Sequence, residues 1–580
     1  MTTFTEIFPG DSSGDPTPRQ TPNHMWASAV PQGFEQPEMI AKSSSCAELI
    51  GGFEALGADF ERMLLGARDF DWTKLSPYAL AYGGHQFGNW AGQLGDGRAI
   101  CLGKWPQAGL RGPKARSFEL QLKGAGLTPY SRHADGQAVL RSSVREFLMS
   151  EAMYHLRVPT TRALSLGLTG ERVLRDKLYD GRAAFEPGAV VCRVAPTFIR
   201  YGNFEWLAWH QHTDLLWQLI RYVSEHFLGL DAGLDKNELV TEFLRVQVRD
   251  GVKLVCEWER VGFVHGVLNT DNMSIVGDTI DYGPYGMLEE YDPSYTPNTT
   301  DLPGRRYAFG NQARILSWNL HALGSALCYV HEKDADREKL AEILRPVLDE
   351  YSESYELARA KMYGKKLGLA WTDLNGDRVR ELTNKLLGLM KRNRLDYTLT
   401  FQVLGIFVSE LGNWDDSHLK NCLTERTLSD LSKISFDKML NGEASRQTRD
   451  RDGPRMERFR QEVETFLDDY VGCFVICYGK NGHLQSLDGD LLEGAFNNMQ
   501  RENPVFVLRN YLLHEASNQL EKGDRELFDE LYNAIQNPYD GEVWNNRDEK
   551  TMGSSWSRLV KIQPSEYEGV FGCTQLSCSS

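Results

Sequence analysis

The chain has 580 residues, 41% of them apolar and 25% charged, with a net charge of −16 and a pI near 5.4. That length exceeds what one hydrophobic core organises, so roughly two to four compact units are expected. The acidic balance argues against a nucleic-acid binder, which needs a basic face to neutralise phosphates. No run of about 18 apolar residues exists to cross a bilayer.

Residues 1–45 are rich in Pro, Ser, Thr, Asp and Gln and poor in apolar periodicity, which predicts a surface-wrapping or disordered segment. Residues 1–10 lack the basic stretch and apolar core of a secretory signal. With Glu6 and no arginine before Arg19, they also make a poor transit peptide. Structure is expected to begin near Ala47, with a short helix over 60–65. From Leu75 to about Arg200 the pattern is strand-rich and glycine-punctuated around one strong helix. Helices follow over 204–228 and 235–262, and most of 310–435 is helical by its apolar spacing. Residues 441–457 are charged and short of apolar anchors, which predicts a linker or mobile loop. The remainder, 458–580, reads as two or three helices with a turn-rich end. No internal repeat is present. The implied division is 1–45, 46–203, 204–440, 441–457 and 458–580. The fold class is α+β: a β-rich N-lobe, a helical C-lobe and a helical C-terminal extension, the order of parts in a protein-kinase-like fold.

Ten cysteines are scattered along the chain. Cys46, Cys101, Cys192, Cys256, Cys328 and Cys422 are isolated and read as buried thiols in a reducing compartment. Cys473 and Cys477 lie in an apolar run and read as core packing. No C-x-x-C pair is present, so structural zinc is not expected. Cys573 and Cys578 lie in the tail, where exposure is the usual outcome.

Glycines crowd the segment Y-G-G-H-Q-F-G-N-W-A-G-Q-L-G-D-G-R, residues 82–98. They let a backbone approach phosphates closely, and Arg98 adds a forked guanidinium. Glycine-rich turns between strands are also common, so this block alone decides nothing. Residues 117–123, S-F-E-L-Q-L-K, alternate strictly and place Lys123 on a polar strand face with Glu119 and Gln121. The amphipathic helix over about 138–157 carries Glu146, suited to pair with Lys123. Ser143 to Glu146 also reads as a capping box, but the apolar pattern starts the helix earlier, which favours the ion pair. Arg193 and Arg200, seven residues apart in a mainly strand-like stretch, can lie across a turn facing one pocket, although surface ion pairs are the default explanation for any arginine pair.

Residues 264–283 read V-H-G-V-L-N-T-D-N-M-S-I-V-G-D-T-I-D-Y-G. This matches a protein-kinase catalytic segment, H-R-D-x-x-x-x-N followed by D-F-G, with its first aspartate replaced. His265 occupies the histidine position and Asn272 that of the metal-binding asparagine. Asp281 begins the D-x-G that holds metal on nucleotide phosphates. Val267 stands where the hydroxyl-activating aspartate belongs, and a valine accepts no proton. A new carboxylate, Asp271, directly precedes Asn272.

Together with Q-L-K-G-A-G-x-T-P-Y-S-R and a terminal C-S-S, these blocks make the chain, from about Leu75 to its end, resemble the selenoprotein O family. Cys578 stands at the selenocysteine position. The resemblance implies a kinase-like fold that transfers AMP from ATP, bound flipped, to Ser, Thr or Tyr hydroxyls of protein substrates, releasing pyrophosphate. It implies that Gly95, Gly97, Arg98, Lys123, Asp135, Gly136 and Glu146 belong to the nucleotide site. By the same resemblance Arg193 and Arg200 hold the terminal phosphates, Asn272 and Asp281 bind Mg²⁺ or Mn²⁺, and Asp271 accepts the proton. Eukaryotic members are mitochondrial and bacterial ones cytoplasmic. The alternatives are a protein kinase with a displaced base and an inactive ATP-binding scaffold.

Overall fold

The computed structural model describes residues 3–109, 116–176, 181–372, 375–411, 417–437, 449–478, 489–540, 559–570 and 572–577. The strands of the N-terminal half, in chain order, are β1 (Gly10–Asp11), β2 (Trp26–Ser28), β3 (Glu38–Lys42), β4 (Tyr78–Leu80), β5 (His85–Gln86), β6 (Asn89–Trp90), β7 (Ala99–Pro106), β8 (Ser117–Lys123), β9 (Ala138–Val139), β10 (Arg162–Arg175) and β11 (Ala184–Ala195). β5 and β6 form a separate hairpin. The others make one sheet in the order β1-β2-β4-β7-β8-β11-β10-β3, with β9 on β11.

Residues 3–45 are ordered and integral to this lobe, contrary to the sequence expectation. They supply three of its strands, and structure begins well before Ala47. Two aromatic anchors explain why so polar a segment is held. Phe4 and Phe8 are buried and meet the rings of Tyr78 and Tyr222. β2 then pairs antiparallel with β4, Trp26 opposite Leu80.

The strict alternation of β8 is present, but neither face is solvated: Glu119, Gln121 and Lys123 are buried, as Leu120 and Leu122 are. The polar face therefore looks into the interior of a cleft. Helix Leu140–His155 packs across β10 and β11 and buries Arg145, Glu146 and Glu151 along with its apolar stripe. It starts at Leu140, so Glu146 lies well inside it and closes no helix start.

Below the cleft, helices Tyr201–Trp209 and Thr213–Val223 with the π-turn Ser224–Leu228 cover the span read as one helix. Helix Lys236–Val261 runs between signals legible in the sequence. Asp235 accepts from the N–H groups of Asn237 and Glu238, and Gly262 ends the helix in the left-handed region at φ 79°. Helices Gly376–Arg392, Tyr397–Ser409, Ser417–Lys433 and Arg449–Tyr478 build a separate apolar cluster, while Gln312–Leu327, Asn510–Glu521 and Glu526–Ala534 join the main core shared with helix Leu140–His155. Residues 449–457, expected in a linker, begin helix Arg449–Tyr478; residues 441–448 of that stretch lie outside the described residues.

The tail also departs from expectation. Cys573 is fully buried, because the chain just after it docks onto residues 295–299. Leu576 N–H donates to Pro297 O (2.7 Å), Leu576 O accepts from Thr299 N–H (2.8 Å), and Tyr295 OH donates to Thr574 O (3.2 Å). Cys578 lies outside the described residues. Among the described residues no helix is long and apolar enough to cross a membrane.

Candidate active site

Four elements converge on the cleft. β8 brings Gln121 and Lys123, and β11 brings Arg193 directly opposite Gln121 in register. Helix Leu140–His155 brings Glu146, and the catalytic segment brings Asp271 and Asp281. Lys123 Nζ lies 2.6 Å from Glu146 Oε2 and 3.7 Å from Asp281 Oδ1. Arg193 Nη1 donates to Asp281 Oδ1 (2.5 Å) and Glu146 Oε1 (3.3 Å), and its other Nη to Gln121. Arg200 donates to Asp281 Oδ2 and to Asp271 O (2.9 Å), and approaches Asp96 Oδ1 at 3.5 Å. Lys123, Glu146, Arg193, Arg200 and Asp281, each chosen from sequence, thus form one cluster.

Its electrostatics follow from crowding. Burial alone would raise the Asp281 carboxyl, but Arg200, Arg193 and Lys123 hold it well below the usual range. Asp281 sits at φ 59°, a region that residues other than glycine rarely adopt and that recurs at functional sites. The guanidiniums are not saturated by this pairing. Nε of Arg193 and Nε of Arg200 are both buried without an acceptor. Buried donors of this kind are costly unless something satisfies them.

The catalytic segment is pinned from behind. Contacts of both ring and backbone fix His265: its Nε2 faces Ile280 O at 2.9 Å and its main-chain N–H donates to Gln312. Burial lowers the pKa of the His265 ring. Asn272 donates its amide to Val267 O (2.9 Å), which orients its carbonyl oxygen away from that contact. Asp271, on the 3-10 turn Thr270–Asn272, is buried; Oδ2 accepts from Gln86 Nε2 (3.2 Å) and Oδ1 has no partner. Burial pushes its carboxyl up to about 6, against the opposing pull of Gln86 and Arg200.

The other sequence-chosen positions lie around this cluster. Gly95 and Gly97 allow close packing: a Cβ on the first would lie 2.5 Å from the Tyr130 ring, and on the second 2.7 Å from Tyr130 O. Arg98 O accepts from Gly124 N–H just beyond Lys123 (2.7 Å). Gly136, at φ 72°, presses on Gly126, where a Cβ would lie 2.2 Å from the carbonyl oxygen. Asp135 is exposed and gripped by Arg175 through two bonds of 2.6 and 2.9 Å; its contacts join it to Arg175 and Gln137, not to the Asp281 cluster.

Sequence reasoning missed three residues. Asp96, inside G-D-G-R, is buried and accepts from Leu80 N–H, Gln121 Nε2 (both 3.1 Å) and Tyr82 OH (3.3 Å). Gln121 ties Asp96 to Arg193. Gln86, on the β5–β6 hairpin, touches Asp271. All three stand in segments already singled out for glycines or alternation, and that context was the available signal.

Asn272 and Asp281 together offer an amide oxygen and a carboxylate, hard donors that suit Mg²⁺ or Mn²⁺. Among the described residues no cluster of three His, Cys, Asp or Glu side chains forms a closed metal cage. A pair of oxygen donors fits a cation that takes its remaining ligands from water and substrate phosphates.

A β-rich lobe over a helical lobe, with this cation cluster and catalytic segment at their junction, defines a kinase-like enzyme of nucleotide phosphate chemistry. The sequence profile described as protein adenylyltransferase SelO matches residues 17–536, and the chain belongs to that family. A protein nucleotidyltransferase YdiU from Cytophaga hutchinsonii is 42% identical over 578 residues, covering 100% of this chain and 98% of that protein. Proteins of the same name from Rhodopirellula baltica and Aromatoleum aromaticum are 41% and 40% identical over 587 and 577 residues, each again covering 100% of this chain and 98% of the relative. The chain is accordingly a nucleotidyltransferase.

Proposed function

We propose that the protein transfers AMP from ATP to Ser, Thr or Tyr hydroxyls of other proteins and releases pyrophosphate. The observation that carries this reading is the pair Arg193 and Arg200. Two buried guanidiniums, each with an unsatisfied Nε–H, converge on the D-x-G aspartate, where an ordinary kinase holds no such pair. They suit the terminal phosphates of an ATP whose α-phosphate faces the acceptor.

In that arrangement Lys123, held by Glu146, and the two arginines neutralise the charge that develops on the departing pyrophosphate. Asn272 and Asp281 would hold Mg²⁺ or Mn²⁺, which when bound supplies further neutralisation of phosphate charge. Asp281 must then exchange its present cationic partners, which the phosphates would take over. The acceptor oxygen bonds to the α-phosphorus as the bond from that phosphorus to the bridging oxygen breaks. Asp271, buried with an unpartnered Oδ1, receives the hydroxyl proton. Positioning contributes more to such a transfer than base strength. Gln86 holds the other carboxylate oxygen and fixes which lone pairs face the acceptor. With bacterial relatives, the cytoplasmic arm of the localisation expectation is the one this reading follows.

Incubation with ATP, a divalent cation and an acceptor protein, read by mass spectrometry, tests it. A gain of about 329 Da on the acceptor is expected; about 80 Da would mean phosphate, and no gain would mean a scaffold.

A further inference from the structure

The β5–β6 hairpin leads from the catalytic segment to the surface as a continuous aromatic shelf. His85 N–H donates to Thr270 Oγ1 at 2.7 Å, one residue from Asp271. The His85 ring meets Trp90 at 5.4 Å and Trp318 at 5.3 Å, and Trp90 lies against Trp209 at 5.1 Å. Trp209 ends helix Tyr201–Trp209 and is 61% exposed. Indole carries one of the largest apolar surfaces of any side chain, so leaving it in water forgoes substantial burial energy.

The shelf is fixed relative to Asp271. Phe87 N–H donates to Tyr307 OH (2.9 Å) and Asn269 Oδ1 (3.2 Å), and Gly83 N–H to Gly202 O (3.0 Å). His85 Nδ1 lies 2.6 Å from Glu205 Oε1. Gly84 is packed so closely on the catalytic segment that a Cβ there would sit 2.9 Å from Asp271 Cβ. A polypeptide presenting a hydroxyl to Asp271 therefore meets a rigid aromatic surface beside it.

The chemistry of that surface favours a cation. Its inner end already holds one: the Arg306 guanidinium lies over the Trp318 ring at 5.0 Å. Glu205, four residues before Trp209 on the same helix and nine-tenths buried beneath His85, has an Oε2 without a partner, and the whole chain carries a charge of −16. Electron-rich ring faces attract guanidinium and ammonium groups, and a buried carboxylate on the same helix adds to that pull.

We propose that Trp90 and Trp209 dock the acceptor protein by receiving an arginine or lysine side chain that flanks the hydroxyl to be modified. The proposal rests on the AMP-transfer reading above and adds its substrate preference. The test uses the full-length protein, ATP and Mg²⁺ or Mn²⁺ with peptides bearing one Ser, Thr or Tyr. Arginine or its neutral counterpart norleucine is placed in turn at each flanking position. At one or two positions the arginine peptide is expected to show a kcat/KM about three- to thirtyfold higher, the range of a cation–π contact. Trp209→Ala, at an exposed site, should bring the two peptides to equivalence while leaving the KM for ATP unchanged; Trp90→Phe should keep part of the preference. Equal use of both peptides by the wild type, or an undiminished preference in Trp209→Ala, would overturn the proposal. So would self-association that Trp209→Ala abolishes, because the shelf would then be a surface between copies of this chain. Failure of the wild type to add about 329 Da to any peptide or protein would instead remove the underlying functional reading.

Discussion

The cleft and the interior of the helical lobe each bury a carboxylate against arginine, and they differ in how completely the polar groups around it are satisfied. In the helical lobe Glu259 accepts from Arg359 Nε (2.8 Å) and Tyr363 OH (3.0 Å) on one oxygen and from Tyr355 OH (2.9 Å) on the other. Nearby Lys366 donates to Arg260 O at 2.8 Å. None of these side chains is among the described ones with an orphaned polar atom. In the cleft three cations crowd one aspartate, yet Arg193 Nε, Arg200 Nε and Asp271 Oδ1 stay unpartnered. A closed network holds a lobe together, whereas an open one with surplus donors is arranged for a ligand.

Asp281→Asn should break the cleft most severely. Transfer of AMP is expected to fall below detection while the protein remains folded by circular dichroism. The ligand-free protein should also melt lower, since removing one partner of a buried ion pair costs roughly 3–5 kcal/mol when the other stays behind. Pyrophosphate should recover part of that loss by giving the stranded cations an anion. Full activity in the folded variant would refute the role given to Asp281.

Asp271→Asn comes next, with kcat expected to fall about 10²–10⁴-fold, the usual contribution of a positioned base. ATP affinity should stay near wild type in equilibrium titration. A comparable loss of ATP binding would move Asp271 from proton acceptor to the phosphate or metal shell.

Arg193→Ala and Arg200→Ala sharpen the orientation of the nucleotide. Losing one charge-assisted contact costs about 1.5–3 kcal/mol, or roughly ten- to a hundredfold in affinity. If the terminal phosphates face these arginines, the deficit should grow from AMP to ADP to ATP. Equal losses across the three would leave the pair as structural partners of Asp281.

The cluster was legible because its members sit on strong local patterns. Strict alternation put Lys123 on the polar face of β8, and kinase-like spacing singled out Asp281. What stayed hidden was set by contacts far apart in sequence. Strands β1 and β2 are two and three residues long, and the segment around them is held because Phe4, Phe8 and Trp26 find partners distant in the chain, Tyr78, Tyr222 and Leu80. Cys573 is buried because Leu576 pairs with Pro297 and Thr299, which no property of a chain end announces. Gln86 lies on a two-residue strand, too short for any periodicity to mark it.

Lys366→Met makes the smallest change and tests whether the closed network is purely structural. Burial pushes the Lys366 amine well below its ordinary value, with nearby Arg260 pushing the same way. Unfolding therefore takes up a proton at pH values between the depressed and the ordinary pKa, so the unfolded chain binds more protons than the folded one. Stability from this group must rise with pH across that window. Methionine keeps the length and an apolar stem, fills the place where Lys366 Nζ lies 4.0 Å from the centre of the Phe401 ring, and has nothing to titrate. Urea unfolding of the variant at pH 7 and pH 9 should show less gain on going up in pH than the wild type, with AMP transfer unchanged at both. A variant that folds normally but loses transfer would show that the two buried clusters are coupled, and the contrast between an open and a closed network would no longer separate function from support.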